Sequence, residues 1–406
     1  MAHDASSRSQ DASVGELRAD SWREITTGRG IKRLPTDECR ASFRPVEAFS
    51  ELRSQFFSSL MTPPLFDDWT WQAPERWGKI SSIEMHTGGE PLRVLVSGLP
   101  PIEGSTVLEK RRYFRDHYDH IRKRTMWEPR GHADMYGAVV TSSRDADLDV
   151  FFLHNEGYST MCGHAVIALI KLAIETGLVR KSGNNPELTI NVPAGKIHAR
   201  AVVNDGKVSE ASFRNVPSFL YLRDGEVTVP GIGTVQFDVA YGGAFYAVVD
   251  ASRLELKLTS ADLHKLIDCG RGIKQAVMQN YAITHPFEAD LSFLYGTIFT
   301  GAALNPGHHS RNVCIFADGE VDRSATGSGV SARAALHHAK GELRPHESIT
   351  IESIIGSTMN VQVVELCKFG PYDAVVPEVS GTASIIGRSD FYFDPDDELG
   401  DGFLLR

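Results

Sequence analysis

The sequence predicts an α/β protein made of two halves of similar plan, each holding a buried central helix. Three observations carry that prediction. The stretch Asn155–Val179, NEGYSTMCGHAVIALIKLAIETGLV, is apolar nearly all round the helical wheel from Gly163 onward. A helix apolar on every side belongs inside a core. A second stretch, Asp322–Leu343, follows the same logic: with Cys162 set against Thr326, Gly163 meets Gly327, Val166 meets Val330, Ala168 meets Ala332, Leu172 meets Leu336 and Gly177 meets Gly341. Flanking segments match in the same order. Gly88-Gly89 precedes one apolar strand as Gly242-Gly243 precedes another, and Leu188–Ile190 lies ahead of Gly195 as Ile349–Ile351 lies ahead of Gly356. Matches in a fixed order indicate internal duplication, and hence two α/β units.

In chain order, residues 1–78 form an N-terminal extension. It is polar and disordered to about residue 30, then an aromatic- and proline-containing arm (Phe56, Phe57, Trp69, Trp77, Pro63, Pro64). Regular structure is expected from Lys79–Met85, a strand, followed by a turn at His86–Pro91 and a second strand at Leu92–Val96. Tyr136–Thr141 and Val150–His154 read as further strands. Each central helix stops at a glycine, Gly177 or Gly341. The boundaries expected are 79–218 plus 381–406 for the half carrying Cys162, and 219–380 for the half carrying Thr326.

Composition excludes several classes. The chain has 406 residues and 42% hydrophobic residues, enough for a real core. Its 42 Lys and Arg against 52 Asp and Glu give a net charge of −10, without the basic footprint that nucleic acids or anionic membranes require. No apolar run approaches the ~20 residues that span a bilayer. The five cysteines, without CxxC spacing, suit neither a disulfide scaffold nor structural zinc, and suggest a reducing compartment. The early acids Asp4, Asp11, Glu16 and Asp20 argue against a transit peptide. A cytoplasmic protein is expected.

The chemistry is expected at the two helix starts. A helix N-terminus presents unpaired N–H groups and the positive end of the macrodipole, and so attracts anions. Cys162 sits at such a start, where its thiol pKa should fall. Gly163 follows and admits a ligand close to the backbone. Thr326 holds the matching start, again followed by glycine. Two opposed starts would hold a carboxylate between them, with residues 162 and 326 flanking its α-carbon. Plainer readings exist for each residue. Cys162 suits a buried hydrophobe, Thr326 an N-cap, His164 a partner for local backbone and Asp322 a turn residue. The shared placement within the repeat favours the chemical reading.

These residues carry a resemblance. Met161-Cys162-Gly163-His164 resembles the first active-site motif of the proline racemase superfamily, and DRSATGSGVSA (Asp322–Ala332) resembles the second, usually DRSPCGTGTSA. His86–Pro91, Gly242–Tyr246 and Val379–Gly381 also fit, so that the resemblance covers roughly residues 79–400. It implies the diaminopimelate-epimerase-like fold: two pseudo-symmetric α/β halves, each a sheet wrapped around a central helix. It also implies a homodimer. Proline racemases place a cysteine in each motif, one thiolate removing the α-proton and the opposite thiol returning one without a cofactor. Here the second cysteine is Thr326, too weak an acid to exchange protons as a thiol does. The Cys/Thr pair resembles the trans-3-hydroxy-L-proline dehydratases of the superfamily. That implies abstraction of the α-proton by Cys162 and departure of the 3-hydroxyl, with Thr326 bonded to it or to a relayed water. The product is Δ1-pyrroline-2-carboxylate. Amides around Gly163, Gly327 and Ser328 would hold the carboxylate, and His164 and Asp322 the ring nitrogen.

Three rivals are weighed. A proline racemase or hydroxyproline 2-epimerase needs another acid opposite Cys162, and Cys314, in the strand-like NVCIF, reads as core. A non-catalytic binder of proline-like amino acids would have no need of Cys162, His164 and Asp322. A cysteine hydrolase would need Cys162 and His164 paired, which neighbours on a helix do poorly. No metal or organic cofactor is expected, since there is neither a dinucleotide fingerprint nor a His/Cys cluster of ligand spacing. His337 and His338 sit where they face a helix C-terminus. The partner expected is a small imino acid, with no nucleic acid and no membrane.

Overall fold

The computed structural model describes residues 70–405, so the disordered segment and most of the arm expected within 1–78 lie outside the described residues. The chain is built of two copies of one strand-and-helix plan. In the first, β1 (Gly78–Thr87) and β2 (Glu90–Ser97) form an antiparallel hairpin across Gly88-Gly89, both at positive φ. Helix α1 (Val107–Met126) crosses over to β3 (Tyr136–Thr141), which lies parallel to β2. β3 pairs antiparallel with β4 (Leu148–His154), and β4 with the short β5 (Tyr158–Ser159). Helix α2 (Gly163–Glu175) then leads to β6 (Glu187–Val192), parallel to β4, and β7 (Gly195–Asn204) and β8 (Lys207–Arg214) continue antiparallel.

β9 (Ser218–Val229) passes into the second copy, where every step recurs with the same sense of pairing. β10 (Gly233–Tyr241) and β11 (Phe245–Asp250) form the hairpin. Helix α3 (Leu263–Asn280) crosses to β12 (Leu294–Gly301), parallel to β11. β13 (Ser310–Phe316), the short β14 (Glu320–Val321), helix α4 (Gly327–Ala339), β15 (Ser348–Glu352), β16 (Thr358–Phe369) and β17 (Tyr372–Gly381) complete it. The parallel pairs explain the helices, because a parallel connection needs a long crossover. Finally β18 (Ala383–Phe393) returns to pair with β1, as β9 pairs with β10. The architecture is therefore the mixed α/β, pseudo-symmetric fold expected.

Helix α2 packs against β1, β2, β7, β8 and β18, and helix α4 against the equivalent strands β10, β11, β16, β17 and β9; α2 also touches β17. Ten of the thirteen residues of α2, from Gly163 to Ala173 with only Lys171 excepted, count among its buried residues. Burying each Leu, Ile or Val of that face is worth about 1.5–3 kcal/mol. Both helices end at a left-handed glycine, Gly177 at φ 70° and Gly341 at φ 76°. The strand expectations all hold, most extended by a residue or two. Helices α1 and α3 add to the expected elements. Thr106 and Glu109 form a capping box at the start of α1, and Val107, Arg111, Phe114, Ile121 and Thr125 line its buried side. Both signals were present in the letters.

Candidate active site

The two central helices meet head to head. A Cβ built on Gly163 would lie 2.4 Å from the Gly327 Cα, and one on Gly327 would lie 2.6 Å from the Gly163 Cα. Only hydrogen fits there, so what each glycine admits to its backbone is the opposite helix start. The first intrahelical bonds are Val166 N to Cys162 O at 3.0 Å and Val330 N to Thr326 O at 2.7 Å, which leaves the preceding amides free of helical partners. Cys162 and Thr326 are the N-cap residues of α2 and α4, and neither side chain caps its helix.

The loop before α4 is held by its own side chains. Ser324 N donates to Asp322 Oδ1 at 2.8 Å, and Thr326 N donates to the Ser324 hydroxyl at 3.0 Å. These turns place Thr326 at φ 66°, ψ 91°, a left-handed backbone that a β-branched residue rarely adopts. Its Oγ1 is buried with no hydrogen-bond partner. Burial raises the pKa of the nearby Cys314 thiol well above its ordinary value, and the Thr326 hydroxyl offsets that rise only in part.

All seven residues expected at the site, Cys162, Gly163, His164, Asp322, Thr326, Gly327 and Ser328, line one small cavity with room for about one water molecule. Tyr136, Met161, Tyr295 and Phe316 complete its wall. Those aromatic residues come from strands far apart in sequence. The Tyr136 phenol bonds to the Ser159 hydroxyl and stands 3.5 Å from the Tyr295 phenol. On the α4 side, the Tyr246 phenol bonds to the Ser328 hydroxyl at 2.7 Å. Glu90, from the HTGGEP turn, is wholly buried and accepts from Arg323 N at 2.7 Å, tying the hairpin of one copy to the loop before α4 in the other.

Two expectations are corrected. The Cys162 Sγ lies 3.1 Å from His164 Nδ1, so the pair is in contact. The helical-wheel argument failed because Cys162 precedes the helix, with extended backbone at φ −143° and ψ 105°. The thiol pKa is also raised, where a fall was expected. Burial pushes it well up, and the Ala165 amide at the helix start and the Tyr136 phenol pull it back only in part, while Asp322 and Glu90 add to the rise. Burial likewise lowers the pKa of His164 and keeps its imidazole neutral. Glu90 is pushed well above the ordinary carboxylate range by burial and by the nearby Asp322. Among the described residues, no group of three or more His, Cys, Asp or Glu side chains is placed to hold a metal.

The sequence matches the proline racemase family model over residues 82–404. The chain belongs to the proline racemase family. A trans-3-hydroxy-L-proline dehydratase of Colwellia psychrerythraea is 52% identical over 334 residues, covering 82% of this chain and 94% of that protein. A Homo sapiens protein of the same name is 47% identical over 335 residues, covering 80% and 95%. Among solved structures, a hydroxyproline epimerase of Agrobacterium vitis with bound trans-4-hydroxy-L-proline superposes with TM-score 0.76 at 28% identity, covering 82% of this chain and 96% of its own. No described helix is long and apolar enough to cross a membrane.

Proposed function

We propose that the protein is a hydro-lyase that dehydrates trans-3-hydroxy-L-proline to Δ1-pyrroline-2-carboxylate without added cofactor. The observation that carries this reading is the unlike pair of caps, Cys162 and Thr326, facing one cavity at two abutting helix starts. The names of relatives that span four fifths of the chain support the same activity. The substrate carboxylate would sit against the amides of Gly163, Gly327 and Ser328, whose dipoles stabilise the charge that develops as the α-proton leaves. The Cys162 thiolate would take that proton, and His164 and Asp322 would hold the ring nitrogen. Thr326 across the α-carbon has no acidity with which to return a proton from the other side, so loss of the β-hydroxyl becomes the forward path. The enamine then tautomerises to the cyclic imine.

The test is the product formed from trans-3-hydroxy-L-proline by metal-stripped protein, with chiral analysis of L-proline incubated in D₂O alongside. A cyclic imine from the first and no D-proline from the second are expected. Accumulation of deuterated D-proline at a rate rivalling dehydration would overturn the reading in favour of a racemase or 2-epimerase. We further propose a homodimer in the cytoplasm, with halves bounded at 79–218 plus 381–406 and 219–380. Light scattering checks the first of these.

A further inference from the structure

We infer that Tyr136 is the acid that protonates the departing hydroxyl, and that it works from the same ring face as Cys162. The inference rests on the dehydratase reading and follows from the substrate's stereochemistry. In trans-3-hydroxy-L-proline the hydroxyl stands on the ring face opposite the carboxylate. The α-hydrogen also stands opposite the carboxylate, so hydrogen and hydroxyl share one face. A base that meets the α-hydrogen therefore meets the hydroxyl side as well, and Thr326, across the α-carbon, is on the wrong side to assist departure. The proton has to come from a neighbour of Cys162.

That neighbourhood holds few donors. The Cys162 thiol contacts His164 Nδ1 at 3.1 Å, and the His164 ring packs edge-on against Tyr136 with centroids 4.8 Å apart. Tyr136 lines the same cavity as Cys162, and its hydroxyl is held by Ser159 and stands near that of Tyr295. His164 is committed to the thiol and kept neutral by burial, and a neutral imidazole yields its N–H less readily than a phenol yields its O–H. The Ser159 hydroxyl is a weaker acid again. An ordinary phenol near pKa 10 gives a proton to hydroxide downhill, because water is a far weaker acid. Burial of Tyr136 reduces that margin and keeps the phenol protonated at neutral pH.

The step balances within the site. The Cα–H bond breaks and the Cys162 S–H bond forms. The electron pair left on Cα becomes the Cα–C3 double bond as the C3–O bond breaks. The departing hydroxide takes the Tyr136 proton and leaves as water. Cys162 S–H then reprotonates the phenolate, which restores both groups without a proton from bulk solvent.

Tyr136→Phe keeps the ring and its packing, and three reactions separate its effects. Dehydration of trans-3-hydroxy-L-proline should fall by the ~10²–10⁴-fold of a lost acid. Exchange of the α-hydrogen of L-proline in D₂O involves no leaving group, and should fall by only about tenfold, the cost of one hydrogen bond to the thiolate. Elimination from trans-3-fluoro-L-proline, whose fluoride needs no proton to depart, should follow the exchange reaction. Parallel loss of all three, or unimpaired dehydration, overturns the role of Tyr136 alone. Wild-type protein that exchanges L-proline yet leaves the hydroxyproline intact overturns the dehydratase reading, and this inference with it.

Discussion

The two copies of the fold share their strand pairings and helix contacts, yet their helix starts differ. Cys162 enters α2 from an extended backbone at φ −143°, whereas Thr326 enters α4 from φ 66°. The thiol is surrounded by His164 and Tyr136. The threonine hydroxyl is buried without a partner. Deeper in the same helices, Leu169 in α2 lies where α4 carries Arg333, buried and bonded to the Ser310 hydroxyl at 2.8 Å. On the proposed reading, the comparison teaches that duplication fixes where the chemistry sits, while single residues at the caps fix what it is. A left-handed β-branched residue costs on the order of 1–3 kcal/mol. A site that keeps one does so for its side chain.

The largest expected effect breaks the comparison outright. Cys162→Ala or Cys162→Ser should lose at least ~10²-fold in turnover while thermal unfolding stays near wild type. Normal turnover in the folded variant would remove Cys162 from the mechanism. Thr326→Cys makes the two caps alike and should bring weak conversion of L-proline to D-proline, read by chiral chromatography. Its complete absence would mean that the cap does not decide the reaction type. Gly163→Ala forces a methyl group into the helix junction and should cost about 2–4 kcal/mol, seen as a fall in Tm.

Titration sharpens the contrast more gently. Thiolate is the reactive form of Cys162 and its pKa is raised, so alkylation by iodoacetamide should be slow near neutrality and accelerate through the range above about 8.5. A plateau already reached at pH 7 would contradict that. Glu90 also has a raised pKa, so the stability it contributes is full at low pH and is lost as pH rises through its folded-state value. The Tm advantage of Glu90→Gln over wild type should therefore grow with pH, by a few degrees at most.

The letters revealed the duplication because the matched residues are tied to backbone demands. Gly177 and Gly341 need left-handed φ, and Gly163 and Gly327 need the absence of a side chain. Those demands recur at fixed spacing, so a single sequence exposes them. The cavity's aromatic wall was not legible in the same way. Tyr136, Tyr295 and Phe316 converge from β3, β12 and β13, and nothing local in sequence says which strand residues will face a given helix start. The thiol's raised pKa was missed for a related reason. Helix-start amides are a local feature that sequence announces, whereas full burial is a tertiary one, and here burial outweighs them. The Cys162–His164 contact needed the cap's own backbone angles, which the spacing of two residues does not supply.

The placement of β18 has a consequence for synthesis on the ribosome. The second copy has all its strands once residue 381 has been made, since β9 through β17 run without interruption. The first copy lacks the strand beside β1 until residues 383–393 emerge. Vectorial synthesis thus delivers the threonine-bearing half complete while the cysteine-bearing half, though begun first, still waits for its last strand. The scaffold around Cys162 closes last, after the surface that faces it already exists.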